Sequence, residues 1–250
     1  MDESVLIGRT CVVEWLPVGE RKTGAELVQY LTTANPTLGI PVGLKQVRSA
    51  DELRAHIGEL GEEFKRTRRL PLLHLDAHGL MDGDNTVGLC SDSADAITWP
   101  ELTQALIPLN ELTRLRLMVV VAACEGAYGI KMAQVVGRAP FLMLTGPDKK
   151  IFPHDLLRAV RAFYRTALRR KNGRAGLDAM NDALSQTDVR FFAYHAEQLF
   201  RAVFANYLAT LCTPQEIARR VEAVLTANKA GFEEENGFPM PQAMAHRLRD

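Results

Sequence analysis

Short apolar runs alternate along the chain with longer stretches in which apolar residues recur every three to four positions. Residues 9–16 (RTCVVEWL) are apolar and partly β-branched and stop at Pro17, which predicts a first strand. Over residues 21–34, Leu27, Val28 and Leu31 share one helical face. Pro36, Gly39, Pro41 and Gly43 mark a loop around a short second strand at 42–47. Ser49, with Glu52 three residues on, reads as a capped helix start. That helix runs to about Arg69 and turns Leu53, Ile57, Leu60 and Phe64 inward. Residues 71–79 (PLLHLDAHG) and 116–126 (RLMVVVAACEG) are near-continuous apolar runs, the pattern of strands covered on both faces.

Between these two runs, 87–90 and 96–98 flank the turn-rich SDSAD and predict a small hairpin. Thr98 or Trp99 then caps a helix that has Pro100 in its first turn and Leu102, Leu106 and Leu109 inward. The pattern continues with a helix at 127–136, a strand at 140–144 closed by Gly146-Pro147, and a long amphipathic helix at 153–170. Asn172-Gly173 is a break. The remainder reads as helical over 175–186, 190–212 and 213–230, with a loosely held tail from Gly231. Strand–helix alternation with crossover-length connections implies a mostly parallel sheet between helical layers. The expected architecture is a three-layer α/β/α domain over residues 1–171, with a helical C-terminal extension over 172–250 packed on it.

Composition narrows the class. Thirty Lys and Arg balance thirty Asp and Glu, so the net charge is zero and no general field favours nucleic acid or an anionic membrane as partner. No apolar run approaches the roughly 18 residues of a membrane span. The N-terminal MDESVLIGR lacks the basic and apolar regions of a signal peptide. Cys11, Cys90, Cys124 and Cys212 are far apart and form no CxxC pair, which speaks against a disulfide framework or zinc module and for the cytoplasm.

The chemistry concentrates at two strand ends. In open parallel sheets, ligands bind outside the carboxyl ends of the strands. The first run ends at His78-Gly79 and the second at Cys124-Glu125-Gly126. On neighbouring strands these ends would lie roughly 5 Å apart laterally. A Cys-His dyad can then attack a peptide carbonyl through the thiolate and protonate the leaving amine through the imidazole. The N–H groups of Gly79 and Cys124 are the expected oxyanion hole. Asp148, at the same sheet edge, is the expected main anchor for a basic P1 side chain, Arg before Lys, with Asp76 on the same face but deeper in the sheet. Glu125 opposes thiolate formation by its charge. No cofactor is required. His154, after Pro153, reads as a capping or exposed residue.

These residues resemble the caspase-like cysteine proteases, and within them the bacterial CHAT-type branch. The resemblance rests on LHLDAHG followed 46 residues later by VVVAACEG. It is extended by the hairpin, by Trp99-Pro100-Glu101-Leu102, by Thr145-Gly146-Pro147-Asp148 and by Phe163-Tyr164, and covers roughly residues 5–171. It implies a cysteine endopeptidase acting on protein substrates, in bacterial stress or antiviral defence, with an activating protein partner among its contacts. No linker suited to maturation cleavage separates Cys124 from the next strand, so activity is expected in the uncut chain. Two alternatives stand beside this one. The fold could serve as a catalytically inactive binding module. Alternatively, His74, Asp76 and His78, alternating on one strand face, could ligate a hydrolytic metal. His74 and His78 would then be about 13 Å apart on an extended strand, so that strand would have to bend.

Overall fold

In a computed structural model of the chain, the described residues are 7–34, 40–92, 95–133, 137–237 and 239–240. The expected loop around Pro36 and Gly39, the tip of SDSAD, the end of the expected helix at 134–136 and the far tail with His246 lie outside them. The chain divides into two compact units, Met1–Glu197 and Gln198–Asp250.

The first unit is built on strands β1 (Arg9–Trp15), β2 (Val42–Gln46), β3 (Pro71–Asp82), β6 (Met118–Ala122), β7 (Met143–Pro147) and β8 (Phe191–His195). Their order in the sheet is β2-β1-β3-β6-β7-β8. The first five run parallel, and β8 pairs antiparallel to β7. β3 runs past the sheet into an antiparallel hairpin with β4 (Asn85–Asp92), which pairs in turn with β5 (Asp95–Thr98).

Alternation along the strands splits the core in two. Cys11, Val13, Leu73, Leu75, Val119 and Val121 meet helices α2 (Ala50–Thr67) and α3 (Trp99–Leu112). Val12, Leu72, Met118 and Val120 meet helices α1 (Thr23–Ala34), α4 (Pro153–Arg170) and α5 (Gly173–Ala183) on the other face. Each fully buried Leu or Val contributes about 1.5–3 kcal/mol of transfer free energy, which makes these two faces the main source of stability. The expected three-layer α/β/α domain is therefore what forms.

The helix starts follow their capping chemistry. Ser49 Oγ accepts from Glu52 N–H at 3.1 Å. Thr98 and Glu101 form a full capping box ahead of Pro100. Asn110, buried in α3, ties two loops at once: its amide donates to Ala139 O at 2.7 Å, and its carbonyl oxygen accepts from Leu117 N–H at 3.0 Å.

Three elements depart from expectation. Residues 191–195 form β8 rather than the start of a helix. The first unit accordingly runs to Glu197, with α5 packed on α4 and β8 in the sheet, rather than ending near Asn172. β7 spans 143–147 rather than 140–144, because Gly146 and Pro147 pair with Phe192 and Phe191. After Cys124 comes a 3-10 segment, Gly126–Met132, in place of the expected α-helix.

The second unit holds most of α6 (Ala196–Leu211) and α7 (Pro214–Asn236), which continues past the expected stop at Ala230. Arg220 packs over the Tyr207 ring and donates to Leu211 O at 2.7 Å. α6 has no buried residue, and Phe200, Val203, Phe204, Tyr207, Leu208 and Leu211 are exposed along it. Among the described residues no helix is long and apolar enough to cross a membrane.

Candidate active site

β3 and β6 are neighbours in register, with Leu72 opposite Met118 and Asp76 opposite Ala122. Two residues beyond that last pair, His78 is still in β3, while Cys124 lies in the turn that follows β6. His78 continues the β3 face that carries Leu72, His74 and Asp76, the face of α1 and α4. Both positions follow the carboxyl ends of the paired segments of β3 and β6.

Gly79 makes the approach close. A Cβ at this position would stand 2.6 Å from the Cys124 carbonyl oxygen and 3.2 Å from Thr86 Cγ2. Such a contact is not tolerated, so only glycine lets the end of β3 lie against the Cys124 backbone. Gly146 does the same on β7, where a Cβ would meet Gly126 C at 2.4 Å. These contacts seat the 3-10 segment directly on β7.

Cys124 is half-buried, with Sγ 3.9 Å from Ile151 O in the loop between β7 and α4. Glu125 follows in the left-handed region at φ 56° and turns the chain away from the strand. Its carboxylate accepts from the Thr86 hydroxyl in β4 at 2.5 Å. Its N–H donates to Lys149 O.

His78 is 44% exposed, and its Nε2 lies 2.8 Å from Oε2 of Glu20 in the loop between β1 and α1. An ionised carboxylate there requires the proton on Nε2, which leaves Nδ1 with a lone pair for a thiol proton. Sequence reasoning missed Glu20, because nothing in the residues beside the Gly19 break marks it. The signal lay in the strand order: β1 neighbours β3, so the loop after β1 must open at the same sheet edge as His78.

The other expected site residues are placed differently. Asp76 is 2% exposed. Its carboxylate accepts from Thr23 Oγ1 at 2.7 Å, and a Cβ on Gly24 would stand 3.0 Å from Oδ2. The first turn of α1 covers it, and a substrate would have to displace that turn to reach it. Burial pushes this carboxyl up to about 7; the Thr23 hydroxyl pulls the other way, and the neighbouring Glu14 raises it again. Asp148 is half-buried, and its Oδ1 accepts from Arg190 N–H at 2.8 Å, while its own N–H donates to Arg190 O. The nearby Lys149 pairs with Asp188 at 2.9 Å.

His74 is fully buried. Its Nδ1 is 3.2 Å from the Tyr164 hydroxyl, and desolvation drives its pKa down to about 3. His74, Asp76 and His78 share a face but not a centre: one faces Tyr164, one Thr23, one Glu20. Among the described residues no three such side chains are grouped to hold a metal ion. Cys11 and Cys90 are buried, and burial raises Cys11 to about 11.

No family profile matches the chain, and no curated protein is significantly similar to it in sequence. Among solved structures it is similar to caspase-1 from Spodoptera frugiperda. The identity is 11%, over 78% of this chain and 89% of that one, with a TM-score of 0.53. The chain therefore has an α/β fold of the caspase type, with a mostly parallel sheet between helical layers.

Proposed function

We propose that the protein is a cysteine endopeptidase that hydrolyses protein substrates through Cys124 and His78. The observation that supports this reading is the pairing of β3 with β6, whose carboxyl ends lead to His78 and Cys124, together with Glu20 Oε2 at 2.8 Å from Nε2 of His78. In the first step Nδ1 of His78 takes the Cys124 proton and Sγ attacks the scissile carbonyl carbon. The oxyanion is held by the N–H groups of Gly79 and Cys124. His78 then gives the proton to the leaving amine as the C–N bond breaks, and a thioester remains on Cys124. Water, deprotonated by His78, attacks the thioester and releases the acid, restoring the thiol.

The order of motifs from His78-Gly79 through the hairpin and Trp99 to Cys124 supports the CHAT-type branch. Of the two acids near the site, Asp148 is the one left partly open to solvent. Its second carboxylate oxygen is the anchor for a basic P1 side chain. The test is labelling of the full chain by a peptidyl acyloxymethyl ketone ending in Arg, followed by peptide mapping. Modification of Cys124 and its loss in His78→Ala are expected. Cys124→Ala should lower turnover by at least ~10³-fold with the unfolding midpoint unchanged. Turnover retained in Cys124→Ala would sink the mechanism.

A further inference from the structure

On the outer side of the α1–α4 layer lies a cleft of about 370 Å³ whose lining contains four arginines and no carboxylate. Arg158, Arg161 and Arg165 lie on one face of α4, and Arg21 comes from the end of the loop after β1. Two acids lie close to these cations. Glu26 takes both forks of Arg21 at 2.7 and 2.9 Å and reaches Arg161 at 3.8 Å. Asp155 pairs with Arg158 at 2.6 Å. Four guanidinium groups therefore face two carboxylates, and two positive charges are left over. Arg165 has no carboxylate within ion-pair distance among the described residues. Arg161 lies over the Tyr30 ring, with its Nε buried and without a hydrogen-bond partner among the described residues. A buried donor left unpaired is costly, and the side chain is 37% exposed, so its outer nitrogens remain open to a ligand oxygen.

We infer that this cleft binds a small polyphosphate of the nucleotide class. Guanidinium forks match phosphate oxygens in pairs, and their spacing along α4 suits adjacent phosphoryl groups. Leu157 and Ala162 give the cleft an apolar floor for the non-phosphate moiety. The volume is that of a small-molecule site. The zero net charge of the chain supplies no extended field for a nucleic-acid strand, so the attraction is confined to this cleft. The inference does not depend on peptidase activity, because binding is read without turnover.

The experiment is calorimetry and thermal unfolding of the full chain with ADP, inorganic pyrophosphate, adenosine and a polyglutamate peptide. ADP at about 100 times its Kd should raise the midpoint by on the order of 5 °C. Pyrophosphate should compete with ADP, and adenosine should not bind. Arg165→Glu sits at an exposed position, so without ligand its midpoint should match the wild type, while ADP affinity falls at least ~10-fold. Absence of ADP binding, ADP binding unaffected by Arg165→Glu, or a polyglutamate peptide bound as tightly as ADP would each overturn the assignment.

Discussion

The proposed mechanism divides the labour between three side chains. In it, Cys124 supplies the nucleophile, His78 moves the proton, and Glu20, 2.8 Å from Nε2, fixes which imidazole nitrogen is free to do so. Glu20 does not touch the substrate in this scheme; it is a positioning residue. It is also 48% exposed, so water can replace some of what it does. Glu20→Ala should therefore lower kcat by on the order of 10-fold or more, short of the ~10⁴ lost when a fully buried orienting carboxylate is removed. KM should stay near its wild-type value, and Glu20→Asp should recover some of the loss. A rise in KM at constant kcat would place Glu20 in substrate binding instead. At this scale the ends of β3 and β6 that lead to His78 and Cys124 were legible in the sequence, because each closes an apolar run. Glu20 was not, because its role depends on which strands are neighbours.

Most elements could be read from periodicity and caps, and the failures share a cause. Phe191, Phe192 and Tyr194 open an apolar stretch that continues into α6, so its helical period overran five residues whose aromatic content favours a strand. The Gly146-Pro147 pair signalled a turn, yet Pro147 lies beyond the last β6 pair at Val120 and Thr145. Its missing N–H interrupts no ladder with β6. The segment after Cys124 carries Gly126 and Gly129, which weaken an α-helix, and its backbone contact with Gly146 could not be read locally. At the join between β7 and β8, Asp148, the proposed P1 anchor, accepts from the Arg190 backbone N–H. Asp148→Asn keeps an acceptor oxygen for that N–H and removes only the charge. On a fluorogenic peptide panel it should retain the fold and lose the preference for Arg at P1. An unchanged Arg preference would confine Asp148 to the clamp.

Over the whole molecule, two buried groups on β3 set opposite responses to pH. Asp76 has a folded pKa of about 7, above the roughly 4 of an unfolded chain. Below pH 4 both states hold the proton. As pH rises the unfolded state loses it first, so stability falls between about 4 and 7 and stays lower above that. His74 has a folded pKa of about 3, below the roughly 6.5 of an unfolded chain. Its contribution is full above 6.5 and is lost as pH falls towards 3, where the unfolded state takes up a proton that the native state refuses. Between pH 4 and 6.5 the two slopes offset one another. Asp76→Asn removes one of them and keeps an acceptor for Thr23. Denaturant titrations should find it more stable than wild type at pH 8, by up to roughly 4 kcal/mol, with stability that rises from pH 4 to 6.5. A variant less stable than wild type at pH 8 would contradict this account.

The uneven burial of the four cysteines gives the protein a built-in gauge of its own integrity. Cys11 and Cys90 are sealed in the folded chain, while Cys124 and Cys212 are partly open. A chromogenic disulfide reagent should therefore count two thiols in the native protein and four in guanidinium chloride, as buried thiols are protonated and out of reach. Cys124→Ala should reduce the native count to one. A native preparation that releases more than two equivalents contains opened molecules, whatever its spectrum suggests, and half the surplus is their fraction. A single number from a cuvette can thus separate a dead catalyst from a damaged fold.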